Sequence, residues 1–211
     1  MNINAQAKLD SAANSSVNVD SITLDIIENA LLNTRFEMDS VLARISLSPV
    51  IREQHDAFPM ICDAQGRMVV GQFGSYIPGV LETYGDNVHE GDVFVWNDPY
   101  ACKGSISHNN DWCVMLPIFH EKVLVGFSSM FGHMIDVGGK VPGSMPADAH
   151  SIWEEGLRIP PVKIYDKGVL NEGVLAIMLN NTRTPDMDRS DLTALIAGSR
   201  TAITRVNVLC D

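Results

Sequence analysis

The residues of this 211-residue sequence best suited to chemistry are two histidines, each followed three positions later by an aspartate: His108/Asp111 and His133/Asp136. Imidazole nitrogen and carboxylate oxygen together suit divalent metals of intermediate hardness, such as zinc, manganese or iron. A gap of three, in a loop or helical turn, lets both side chains converge on one ion. The first pair leads into an apolar run over residues 112–119, and the second follows another over 123–130. If those runs are antiparallel strands joined at His120-Glu-Lys122, the start of one lies beside the end of the next. Both pairs then face each other at one sheet edge. The competing reading is turn chemistry, since His and Asp are common loop residues.

Other residues are weighed against plainer roles. Asp56 precedes an apolar run; a carboxylate near a metal can act as a general base, or Asp56 can be a turn residue or a partner of Arg52. Asp98, in Asn97-Asp-Pro-Tyr100, either orients a ligating imidazole or starts a turn. Arg158 can meet a carboxylate substrate or a structural ion pair. His55, His89 and His120 read as surface residues. No Gly-x-x-x-x-Gly-Lys-Ser/Thr or Gly-x-Ser-x-Gly string occurs, which argues against a P-loop and a serine nucleophile elbow. Cys62, Cys102, Cys113 and Cys210 are scattered without a CxxC pair and read as reduced thiols of a cytoplasmic protein.

The elements that must position these residues follow from periodicity. Ile27, Ala30, Leu31, Thr34, Met38, Val41, Leu42 and Ile45 trace one helical stripe, capped by Asp20 or Ser21 and ended by Pro49. Residues 58–62 and 68–70 read as a hairpin around Asp63-Ala-Gln-Gly66, 78–84 as a short helix, and 93–96 as a buried strand. The strands at 112–119 and 123–130 come next, then a loop over 138–146 and a strand over 162–165. Helices over 172–180 and roughly 190–206 close the chain. The class is α+β: a long N-terminal helix, a central, mostly antiparallel sheet and C-terminal helices.

Composition narrows the function. The net charge of -11 argues against nucleic-acid binding, which needs clustered Lys and Arg. No apolar run approaches the ~20 residues that span a bilayer. Residues 1–19, rich in Asn, Ser and Ala, read as a disordered tail and not as a signal peptide. Residues 20–211 read as one domain, and a final helix still running near the end reads as the front of something longer.

Several strings then carry a family resemblance: Ile22-Thr-Leu-Asp-Ile-Ile-Glu-Asn-Ala30, Phe94-Val-Trp-Asn-Asp-Pro-Tyr100, His133-Met-Ile-Asp-Val-Gly-Gly139, Pro142-Gly-Ser-Met145, Glu155-Gly-Leu-Arg-Ile-Pro-Pro161, Asn180-Asn-Thr-Arg-Thr-Pro185 and Asp191-Leu-Thr-Ala194. In this order they resemble the hydantoinase B/oxoprolinase family, which includes subunits of acetone and acetophenone carboxylases. The resemblance implies the N-terminal, metal-binding portion of a subunit that works in a hetero-oligomer with an ATP-binding hydantoinase A-type partner. It implies opening of a small cyclic amide (hydantoin, lactam or 5-oxoproline), with His108, Asp111 and His133 as metal ligands. Asp56 falls at the family's ligand or general base, and Asp136 matches a further family position; Asp136 and Asp98 are the candidates for an additional ligand or an orienting group. ATP-dependent ketone carboxylation and a truncated, inactive member remain the alternatives. Phe73-Gly-Ser-Tyr-Ile-Pro-Gly79 and Ala101-Cys-Lys-Gly-Ser-Ile-Ser107 depart from the family's usual Pro-Val-His-Leu-Gly and Gly-Gly-Thr segments, which reshapes the expected substrate pocket.

Overall fold

Helix α1 (Ser21–Ile45) forms where the stripe places it. The Asp20 carboxylate accepts the backbone N–H groups of Ile22 and Thr23, both at 3.0 Å, satisfying donors that the first turn leaves free. Thr34, Met38 and Leu42 are buried, whereas Ile22, Leu24 and Ile26 at the N-terminal end remain exposed. The helix stops at Ile45, where the Ser46 backbone N–H and hydroxyl both return to the Leu42 carbonyl at 2.9 Å. Pro49 therefore does not end it. Pro49 opens a separate short helix, α2 (Pro49–Arg52), at a position whose missing N–H has no intrahelical partner to lose. The computed structural model describes residues 19–211, so the tail expected at the N-terminus lies outside the described residues apart from Val19.

Seven strands follow: β1 (Ala57–Asp63), β2 (Met68–Val70), β3 (Val93–Trp96), β4 (Asp111–His120), β5 (Val123–His133), β6 (Val162–Asp166) and β7 (Val169–Leu170). All pair antiparallel in one sheet of order β2-β1-β5-β4-β3-β6-β7. Both faces are covered, and the strand period of two sorts the side chains between them. Val93, Val95, Trp112, Val114, Leu116 and Met130 face α1 and the last helix, α5 (Pro185–Cys210). Phe94, Trp96, Cys113, Met115, Phe127 and Phe131 face the other way, onto α3 (Pro78–Tyr84) and the loop that carries Cys102 and Ile106. Each large apolar side chain removed from water on either face contributes about 1.5–3 kcal/mol. A short helix, α4 (Glu172–Asn180), links the sheet edge to α5.

Gly198 lets α5 lie close to the sheet and to α1. A Cβ there would stand 2.7 Å from the Met130 sulfur and 3.1 Å from the Met38 carbonyl oxygen. The same two helices are tied at the surface by Arg205, whose guanidinium forks onto the Glu37 carboxylate with two contacts of 2.6 Å.

Two elements clearly outrun their expected lengths, and one short strand was not expected at all. β5 runs on through Phe131-Gly-His133, because β1 continues the ladder opposite it, Ala57 against Gly132. Gly132 has no side chain, so the alternation that would announce a strand is interrupted there. β7 is two residues long, too short to signal at all. α5 begins at Pro185, five residues before the apolar periodicity becomes visible.

Candidate metal centre

Register builds the centre. Asp111 and His133 are direct partners across β4 and β5, so their side chains leave the same face of the sheet side by side. On the other flank of β5, the His133 N–H donates to the Asp56 carbonyl at 3.0 Å, which brings Asp56 up as the next residue in the row. Three neighbouring strand ends thus present Asp56, His133 and Asp111, and His108 arrives from the turn that enters β4.

The donor atoms converge. His108 Nε2 lies 3.0 Å from Asp111 Oδ1 and 3.1 Å from His133 Nδ1. His133 Nδ1 lies 3.4 Å from the same Asp111 oxygen and 3.9 Å from Asp56 Oδ2. Among the described residues, His108, Asp111 and His133 form a group of side chains that could hold a metal ion. A single proton on His108 Nε2 can serve one edge of this triangle and leaves the others unserved; a cation in front of the triangle serves all three donors. Two ligand atoms each about 2.1 Å from one ion stand about 3.0–3.4 Å apart at right-angled to tetrahedral geometry, which matches the observed edges. Two imidazoles and one carboxylate on one face leave other positions open for water or substrate.

Within the triangle, His108 and the aspartate favour each other's charged forms. The His108 imidazole is pushed above its ordinary value, first by its hydrogen bond to Asp111 and against the opposing effect of burial. Burial pushes the Asp111 carboxyl up, but hydrogen bonds from His108 and His133 outweigh it and hold the group below the ordinary carboxylate range. Ser107 Oγ sits 3.3 Å from His108 Nδ1 and orients the ring from behind.

The turn carrying His108 is fixed by two buried asparagines that sequence reasoning did not single out. Asn110 Nδ2 donates to the Met134 and Gly143 carbonyls at 2.9 and 3.1 Å, and the Asn110 carbonyl accepts the Met134 N–H at 2.8 Å. Asn109 Nδ2 donates to the Gly156 carbonyl at 3.3 Å, and the Asn109 carbonyl accepts from Asn97 Nδ2 at 2.6 Å. Two asparagines between a histidine and an aspartate were the available signal: such side chains hold loops by bonding to backbone.

Asp136 and Asp98, expected as further ligands or orienting groups, are engaged elsewhere. Asp136 Oδ1 accepts the Gly138 N–H at 2.8 Å, Oδ2 accepts the Gly143 N–H at 2.9 Å, and the Arg183 guanidinium lies 3.0 Å away. Burial alone would push its carboxyl up; the three backbone donors and Arg183 bring it below the ordinary range. The second His-x-x-Asp pair is therefore split: His133 ends a strand in the centre, while Asp136 turns into the following loop to hold it. Asp98 caps the turn at Tyr100 and lies 3.6 Å from Arg158, whose guanidinium also stacks 4.4 Å from the Trp153 ring centre. Arg52 makes no ion pair with Asp56 among the described residues. His120, expected as plain surface, is half-buried and meets Asn207 of α5 at 3.0 Å.

A cleft of about 620 Å³ opens at Ser107, the residue before His108. Tyr100, Lys103, Ile106 and Ser107 line one side, and His150, Ile152 and Glu155 the other. The departing segment 101–107 thus forms much of one wall.

An α+β scaffold that gathers two histidines and an aspartate at one end of an antiparallel sheet is the class that fold and site define. The chain belongs to the hydantoinase B/oxoprolinase family, whose model matches residues 20–211. It is 34% identical to the B-type subunit of a putative D-/L-hydantoinase of Pseudomonas sp. (strain NS671), over 86% of this chain and 33% of that protein. It is 38% identical to the beta subunit of the caprolactamase of Pseudomonas jessenii, over 83% of this chain and 31% of that protein. The crystal structure of the ATP-dependent caprolactamase from Pseudomonas jessenii superimposes with a TM-score of 0.83 at 33% identity, covering 91% of this chain and 34% of that one. The chain spans about a third of the length of these relatives. Among the described residues no helix is long and apolar enough to cross a membrane.

Proposed function

We propose that this chain carries the metal centre of an ATP-dependent cyclic-amide hydrolase, acting on a hydantoin, lactam or 5-oxoproline together with an ATP-binding hydantoinase A-type partner. The observation that carries the reading is the triangle of His108 Nε2, His133 Nδ1 and Asp111 Oδ1, with edges of 3.0, 3.1 and 3.4 Å. Relatives named as a hydantoinase component and an ATP-dependent caprolactamase supply the reaction class.

His108, Asp111 and His133 would hold a divalent zinc, manganese or iron ion. Such an ion supplies Lewis-acid polarisation of a substrate oxygen and acidifies water at neutral pH. Asp111, kept ionised, contributes a negative charge to the ligand set. Asp56 is half-exposed and lies 3.9 Å from His133 Nδ1, within reach of the open side of the triangle. There it accepts the proton that an attacking water must lose, or adds an oxygen as the fourth ligand.

The test is metal content, measured on the purified wild type and on His108→Ala. Bound metal in the wild type and its loss in the variant, with an unchanged cooperative melt, supports the reading; full occupancy in the variant overturns it. Ketone carboxylation is the second reading, favoured by the wall of the cleft that residues 101–107 rebuild. Bicarbonate-dependent ATP turnover with a ketone, and none with lactams, selects it.

A further inference from the structure

The row of side chains next to the centre is aromatic, and nothing above assigns it a role. Residues two apart on a strand share a face and stand roughly 7 Å from each other. His133 and Phe131 are such a pair on β5, and Asp56 stands two residues before Phe58 at the entry to β1. Phe58 and Phe131 are direct partners across the two strands, with ring centres 4.9 Å apart. A Cβ on Gly132, between Phe131 and His133, would meet Ile51 and Leu195 on the opposite side of the sheet. The Phe131 ring and the His133 imidazole therefore share the side that carries the triangle. Buried Tyr76 fixes both phenylalanines: its ring meets Phe131 edge-on at 5.2 Å, and its hydroxyl donates to the Phe58 carbonyl at 3.0 Å. Phe73 completes the shelf. Its ring meets Phe58 edge-on at 4.7 Å yet stays 73% exposed. Its backbone takes φ +62, an outlier for a bulky side chain. Outliers of this kind cluster at ligand sites, and an exposed phenyl ring gains from burial only when something covers it.

We propose that Phe73, together with Phe58 and Phe131, forms an apolar subsite on the Asp56–His133 flank of the centre and takes the saturated carbon part of the molecule whose polar group meets the triangle. Such a molecule has the Phe58–Phe131 row as its next neighbour along the strands. The role rests on the metal-centre reading above and deepens it. Three phenyl rings offer no hydrogen bond to a further polar substituent, so the subsite selects substrates with several methylenes beside the reacting carbonyl over rings that carry a second carbonyl or a carboxylate.

The probes are acetohydroxamate and hexanohydroxamate, which chelate metals through the same two oxygens and differ only in the length of the alkyl tail. Their affinities for the metal-loaded protein are measured by calorimetry in the wild type, Phe73→Ala and Phe73→Tyr, with metal content and melting temperature in parallel. Trp153→Ala serves as the comparison, because it removes an exposed ring whose neighbours Ser151 and Ile152 line the cleft at Ser107. The expected result is a preference for hexanohydroxamate of roughly tenfold or more in the wild type, the worth of burying a few methylenes. That preference falls several-fold in Phe73→Ala at unchanged metal content and is kept in Phe73→Tyr and Trp153→Ala. A Phe73→Ala protein that melts earlier but keeps the preference shows a ring that merely caps Phe58, and overturns the subsite. Equal affinities in the metal-loaded wild type, no hydroxamate binding to it, or a preference lost in Trp153→Ala instead overturns it too. A folded wild type that takes up no metal overturns the metal-centre reading and the subsite with it, and the metal assay tells the two failures apart.

Discussion

Asp188, in the first turn of α5, makes stability depend on pH in a direction opposite to that of most carboxylates. It is fully buried, with Oδ2 accepting from the Thr182 and Thr184 hydroxyls and Oδ1 unpartnered. Burial pushes its carboxyl up from 3.8 to about 6; the two threonines oppose that, and the charges of Asp191 and Asp136 reinforce it. Because the folded value lies above the unfolded one, the native state holds the extra proton between these two pH values. This group's contribution to stability is therefore intact below pH 3.8 and is lost as pH rises to about 6. At about 1.4 kcal/mol per pH unit, the loss is roughly 3 kcal/mol. Asp188→Asn keeps an oxygen for the threonines and removes the titration. Urea unfolding of both proteins at pH 4, 5, 6 and 7 should show the difference between them moving by roughly 3 kcal/mol in the variant's favour, equivalent to about 6–12 °C in melting temperature. Parallel pH profiles would refute the reasoning, because they would mean that Asp188 ionises in the folded state as readily as in the unfolded one.

Further perturbations test the positioning of the centre. Asn110→Ala removes the bonds to Met134 and Gly143, and metal affinity measured by chelator competition should fall roughly ten- to a hundredfold. Arg183→Met leaves the buried Asp136 carboxylate with its backbone donors alone and should cost about 2 kcal/mol in urea unfolding; Arg183→Lys should not fully restore it, lacking the fork that also reaches the Gly139 carbonyl at 2.6 Å. Gly79→Ala would place a Cβ 1.9 Å from the Ala101 carbonyl oxygen, so it should displace the 101–107 wall and destabilise by at least about 2 kcal/mol, read by calorimetry.

The long helix, the antiparallel hairpin and the convergence of His108, Asp111 and His133 were legible because each rests on a local period. A stripe at three and four residues fixes α1, and two apolar runs with a tight turn fix the pairing of β4 with β5. The split of the second His-x-x-Asp pair was not legible. Sequence spacing treats Asp136 as the equal of Asp111, and what separates them is Arg183, 47 residues further on, which approaches Asp136 at the start of α5. His120 against α5 was missed for the same reason, and although a turn at Asp98 and an ion pair at Arg158 were both legible, their pairing with each other was not: long-range partners leave no trace in local spacing. The start of α5 was missed because Asp188 and Asp191 look like surface acids, whereas both are buried.

The buried acids at the start of α5 connect the two halves of the site. Asp191 Oδ1 accepts the Leu47 and Ser48 N–H groups at 2.9 and 3.3 Å, which fixes the chain leaving α1 just before it reaches Asp56. Five residues upstream of Asp188, Arg183 fixes Asp136 and with it the loop that leaves His133. One helix terminus thus sets both the approach to Asp56 and the exit from His133, the two residues that meet across β1 and β5. Loosening it with Arg183→Met should widen the 3.9 Å separation of Asp56 and His133 without touching either residue, before it disturbs the 3.4 Å edge between Asp111 and His133, which the register of β4 and β5 holds.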